Sequence, residues 1–147
     1  MAFKFSLDAV LRLRTSVERQ EQTRLEIAAR VLYAARERCA ALENERLAAE
    51  ETFRVALSMG MESPDLYFHI SARAGMEVAQ LEAQRMLLEA QKRWNEQRAR
   101  FLQARQQREV IASVRERQLA EFVVDQVRRE QQQIDDLFAA RKMQIDG

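Results

Sequence analysis

The sequence predicts an all-α protein, an elongated antiparallel coiled-coil hairpin of two helices, and three observations carry that expectation. Helix breakers are scarce, with three glycines and one proline in 147 residues, while the strong helix formers Ala, Leu, Arg, Glu and Gln fill most of the chain. Apolar residues recur at alternating spacings of three and four, which lines up one narrow stripe on a helix. A single turn signal interrupts this pattern. Charged residues make up 32% and aromatic residues 7%, a ratio that suits a thin seam better than a thick core. The length fits one domain spanning residues 1–147.

Taken in order, Ser6 is a candidate N-cap ahead of Leu7-Asp8, and the first helix is expected over about 7–59. Its seam is Leu25, Ala28, Leu32, Ala35, Cys39, Leu42, Arg46, Ala49, Phe53 and Ala56, apolar except at Arg46. Before it, Glu18–Arg24 contains no apolar residue and interrupts the stripe. An N-terminal cluster built on Phe3, Phe5, Leu7, Val10, Leu11, Leu13 and Val17 precedes that gap and is expected to form a module of its own.

The turn is expected at 60–63. Gly60 suits the positive φ that commonly follows a helix end. Ser63 reads as the next N-cap, Pro64 as the first helical residue, and Asp65 as first-turn negative charge. The second helix is expected over about 64–144, with a seam of Ala83, Leu87, Ala90, Trp94, Phe101, Ala104 and Ile111 and polar Gln97 and Arg108 in the same register. Both seams mix Ala with large residues, as a facing pair requires. On the outer faces, Glu26/Arg30, Glu50/Arg54, Glu89/Arg93 and Glu96/Arg100 are favourable i,i+4 pairs.

The lengths then matter. At 1.5 Å per residue the helices span roughly 80 and 120 Å. With the turn near 61–62, residue i faces about residue 123 − i, and the chain beyond about 120 overhangs. That overhang carries Phe122-Val123-Val124, Val127, Ile134, Leu137-Phe138 and Ile145. An apolar stripe on an uncovered helix is a surface for a partner. Near the turn, Met59, Met61 and Met76 gather with Leu66, Tyr67, Phe68 and Ile70, either as packing that closes the hairpin or as an adaptable binding surface. Gly75 either permits a close approach there or loosens the tip.

Composition and spacing argue against several functions. His69 and Cys39 are the only residues of their kind, and in a hairpin they sit opposite Phe53 and Gln84 respectively, so they cannot form a nucleophilic dyad. No glycine-rich phosphate loop is present. The carboxylates at Glu43, Glu45, Glu50, Glu51, Asp135 and Asp136 read as solvated helix faces rather than a metal site. The aromatic pair Trp94 and Phe101 reads as seam packing. No catalytic residue, cofactor or metal is expected, and the chain is not expected to be an enzyme. Net charge is +1, and the even mixing of Glu with Arg speaks against nucleic acid. Neither a secretory h-region nor an apolar run of about 20 residues is found, so no membrane insertion is expected.

The opening Phe3-Lys4-Phe5-Ser6-Leu7-Asp8-Ala9-Val10-Leu11-Arg12-Leu13-Arg14, followed by Glu18, resembles the start of the FliJ family of flagellar type III export proteins, which often reads Phe-x-Phe-x-Leu-x-x-Val-Leu-x-x-Arg. Length, the break near residue 60 and the Gln-rich C-terminal helix agree. The resemblance implies a cytoplasmic coiled coil like the central stalk of rotary ATPases, peripheral at the inner-membrane export apparatus. Its implied partners are the hexameric export ATPase, the cytoplasmic part of the export gate and export chaperones. On that reading Phe122, Val123, Val127, Ile134, Leu137 and Phe138 bind the ATPase ring, and Tyr67, Phe68, Ile70 and Met76 engage the gate or chaperones. The free protein is then expected to be a monomer. Competing readings are the stalk of a virulence-type secretion system, a scaffold that homodimerises through the overhang, and a nucleic-acid-binding hairpin.

Overall fold

The computed structural model describes residues 2–146. It is an all-α helical hairpin of two helices, α1 (Asp8–Ser58) and α2 (Ser63–Asp146). The chain forms two compact units. One joins the residues up to Arg19 with those from Gln103 onward, and the other is Gln20–Leu102.

In the Gln20–Leu102 unit the heptad spacing becomes burial. From Leu25 to Ala56 every expected seam position of α1 is buried or half-buried, and so are Ala83, Leu87, Ala90, Trp94 and Gln97 on α2. The best-covered residues are leucines on α1 and alanines on α2: Leu32 and Leu42 are 5% exposed, Ala83 5% and Ala90 4%. Each covered Leu contributes roughly 1.5–3 kcal/mol relative to exposure. The small alanines let the helices approach closely enough to cover those leucines.

Polar seam residues are all paired. Arg46, the one charged member of the α1 seam, bonds Glu43 at 2.5 Å and Glu50 at 2.6 Å. Glu50 also takes Arg73 from α2 at 3.2 Å. With Glu50 engaged twice, Arg54 turns to Glu51 at 2.7 Å rather than forming the Glu50/Arg54 pair that spacing predicts. The amide of Gln97 donates to the Glu21 carboxylate and, at 3.2 Å, to the Glu21 main-chain carbonyl. The apolar gap of α1 is therefore filled by a polar layer.

The turn belongs to the same unit. Gly60 has φ +85°, and its N–H donates to the Leu57 carbonyl at 3.2 Å, one of the two bonds of a Schellman end. The Leu66 N–H donates to the Glu62 carbonyl, which places the cap at Glu62, one residue before the expected Ser63. Pro64 then occupies the second helical position, where its missing N–H still costs nothing. At Gly75 an added Cβ would meet open space, so no close approach requires glycine there.

In the other unit, Phe3 lies 5.5 Å from Phe122 with the Arg115 guanidinium over its ring at 5.7 Å, and Phe5 is buried. Arg14 donates to Gln107 at 2.8 Å, and Arg108 pairs with Glu18. Burying Phe5 draws the leading segment into a turn, where its carbonyl accepts the Asp8 N–H. The first α-type bond runs from Leu11 N–H to the Leu7 carbonyl, which moves the cap from the expected Ser6 to Leu7. Within each unit the cross-helix partners run in opposite directions. Their residue numbers add to between 118 and 127, around the 123 expected for a turn at 61–62.

Candidate partner-binding surfaces

Exposed apolar side chains occur along both helices, Leu81 and Leu88 among them, and the two groups marked by the sequence lie one in each unit. The first flanks the turn. Tyr67 is 74% exposed, Phe68 70% and Ile70 55%, while Met76 is half-buried. His69 turns inward instead. Its ring lies 5.4 Å from Phe53 and 5.9 Å from Phe68, so it packs as an aromatic residue. Beside it a shallow groove is lined by Phe53, His69, Ile70 and Met76, with Arg46 and Arg73 at its edge. Met59 is exposed, while Met61 and Met76 are half-buried.

The electrostatics near this groove are set by ion pairs. Hydrogen bonding from Arg46 holds the Glu43 carboxyl below its usual range, and Glu43 in return raises the Arg46 guanidinium. Arg54 lowers Glu51 in the same way. These carboxylates serve arginines, and among the described residues no cluster of His, Cys, Asp or Glu has metal-binding geometry. Cys39 lies on the seam beside Leu42, Ala83 and Gln84, apart from His69 and its aromatic neighbours.

The second group is the C-terminal part of α2. Val123, Val127, Ile134, Leu137 and Phe138 are between 52% and 74% exposed. Phe122 differs. It is half-buried because Phe3 covers it, so the structure separates it from the five residues that sequence grouped with it. The seam Ala104, Arg108, Ile111, Arg115, Gln118 leads directly to Phe122 in alternating steps of four and three, the signal that assigns it to the hairpin face. Continuing that rhythm reaches Asp125, Arg129, Gln132 and Asp136, all polar. The exposed apolar residues follow a different line. Val124, Val127, Ile134, Phe138 and Ile145 lie between about 120° and 200° around the helix from Phe122, at ~100° per residue. Val123 and Leu137 lie between the two faces.

The model of a family described as the flagellar FliJ protein matches residues 3–144. The chain belongs to the FliJ family. It is a flagellar, export-related protein. No curated protein and no solved structure matches it. In the described residues no helix is long and apolar enough to cross a membrane. The FliJ match covers both surfaces, with the turn region and most of the C-terminal stripe inside it.

Proposed function

We propose that this FliJ-family chain acts as the central stalk of the flagellar export ATPase ring, stimulating ring assembly and hydrolysis and linking the ring to the export gate and export chaperones. One observation supports the reading above the rest. The last two dozen residues of α2 present an apolar stripe, with side chains from 48% exposed at Val124 to 84% at Ile145, while remaining helical to Asp146. A helix of this kind gains most of its stability from covering such a face. In this assignment Val123, Val127, Ile134, Leu137 and Phe138 contact the ring, and Phe122 supports them through Phe3. Tyr67, Phe68, Ile70 and Met76 serve the gate or chaperones.

The stalk works by differential contact. A helix inserted in a ring shifts subunit states only to the extent that it binds some of them better than others. It transfers no group and has no catalytic residue. The flagellar family match favours the flagellar apparatus over a virulence-type system as the setting. Truncation after residue 120 tests the assignment. The truncated chain is expected to retain the Gln20–Leu102 unit as judged by helicity and Trp94 fluorescence, and to lose stimulation of the ATPase. Full stimulation by the truncated chain would overturn the role given to the stripe.

A further inference from the structure

The stripe on the overhang carries a second reading that does not depend on the ATPase. We infer that it also pairs with the same stripe of a second copy of this chain, antiparallel, in a weak and reversible dimer.

Ala120, Val124, Val127, Gln131, Ile134, Phe138, Arg141 and Ile145 are spaced alternately by four and three, the rhythm of a two-stranded coiled-coil seam. This seam lies away from the hairpin face that ends at Phe122, so a second helix can dock on it without displacing Phe3. Antiparallel pairing centred between Gln132 and Gln133 sets large residues against small ones: Ile145 meets Ala120, and Phe138 meets Val127. A shallow groove at Ala120 and Val124, edged by Glu121 and Arg128, is where Ile145 of the second copy would seat.

Charge decides the direction and favours self-pairing. The residues flanking this seam on one side are Glu121, Arg128, Asp135 and Lys142, which alternate in sign. In the antiparallel arrangement Glu121 faces Lys142 and Arg128 faces Asp135, and symmetry doubles both attractive pairs. A parallel arrangement instead sets Glu130 against Asp135 and Glu116 against Glu121, all repulsive. The other antiparallel flank pairs Val123 with Gln144 and Glu130 with Leu137, with no like charges opposed.

Size sets the strength. Core and flanking positions between Ala120 and Ile145 number sixteen a chain, against the ~20–30 residues a side of a standard stable interface. Gln131 and Arg141 weaken the seam further. The pair therefore forms at high chain concentration and gives way to a partner that binds the stripe more tightly. It covers the apolar residues while that partner is absent, and it is too weak for a permanent scaffold.

Sedimentation equilibrium of the full chain at low ionic strength tests this, using the wild type, Arg128→Glu, Asp135→Arg and the double swap. The wild type is expected to pass from monomer to dimer as concentration rises towards the millimolar range. Each single swap is expected to weaken association about tenfold, since it turns two attractive exposed pairs into repulsive ones, and the double swap to restore it. Asp135→Arg is the decisive variant. It repels in the antiparallel pair but would attract Glu130 in a parallel one, so tighter association of this variant overturns the proposal. So does a wild type that stays monomeric throughout, or association that none of the swaps changes.

Discussion

The polar layer in the Gln20–Leu102 unit gives the sharpest prediction about stability. Gln97 is 9% exposed, and its amide donates to both the main-chain carbonyl and the carboxylate of Glu21, whose side chain is 15% exposed. Replacing Gln97 with Leu removes a hydrogen bond to a charged group, worth ~1.5–3 kcal/mol. The covered Leu returns ~1 kcal/mol of that by burial. Glu21 keeps Arg24 at 3.0 Å, but that arginine is 60% exposed and its pair is worth at most ~1 kcal/mol. Gln97→Leu is thus expected to cost ~0.5–2 kcal/mol. The double variant Glu21→Leu/Gln97→Leu removes both polar partners and continues the apolar seam. It is expected to be as stable as the wild type or more so, because an apolar replacement of a buried polar pair avoids its desolvation. The coupling between the two sites is then ~1–3 kcal/mol. Urea unfolding followed by far-ultraviolet circular dichroism and by Trp94, one turn from Gln97, measures all four corners of the cycle. Additive single effects, or a double variant less stable than either single one, would refute the claim that these groups form one layer.

Four further outcomes follow from the same structure. Gly60→Ala is expected to destabilise by about 1 kcal/mol, because φ is +85° and an added Cβ meets open space, which leaves only the backbone penalty; an unchanged urea midpoint would contradict it. Phe3→Ala removes the Phe122 and Arg115 contacts and is expected to speed hydrogen exchange near residues 115–122 while leaving amides around Leu32 and Leu42 unchanged. Tyr67→Ala/Phe68→Ala alters exposed side chains and removes the Phe68–His69 ring contact, so it is expected to cost ~1 kcal/mol or less, preserve ATPase stimulation and weaken binding to the cytoplasmic domain of the export gate. For pH, Glu43 and Glu51 are held below the usual carboxylate range by Arg46 and Arg54. A depressed folded pKa adds stability above the unfolded value that is lost as pH falls through the folded one; urea midpoints should therefore decline below the usual carboxylate range, less steeply in high salt, and a rise on acidification would sink the assignment.

The fold was legible where a residue's neighbours are fixed by helical period alone. Leu25 through Ala56 and Ala83 through Trp94 announce their burial by spacing, and Gly60 with Pro64 marks the only break between helices among the described residues. The caps fall one residue from the capping side chains that the sequence offers, at Leu7 rather than Ser6 and at Glu62 rather than Ser63, because the Leu7 and Glu62 carbonyls accept the first i→i+4 bonds. The partners of the polar seam residues were not legible, since the Glu18–Arg24 gap names no mate until α2 brings Gln97 and Arg108 alongside. Arg54 shows the same limit, as its choice of Glu51 depends on Arg46 and Arg73 having taken Glu50. On the overhang, composition identified apolar residues but not their face. Phe122 adjoins Val123 in sequence, yet the helical turn sends one to Phe3 and exposes the other. The family was legible mainly through the Phe3–Arg14 motif, because a coiled coil has no site whose chemistry names its partner.

The most direct test of the account is the hydrolysis rate of the cognate export ATPase, measured with the full-length chain and with an Ile134→Ser/Phe138→Ser variant of equal helicity and melting temperature. The stalk reading expects stimulation by the first and its loss with the second. No stimulation by the folded full-length chain, or equal stimulation by both, would contradict it.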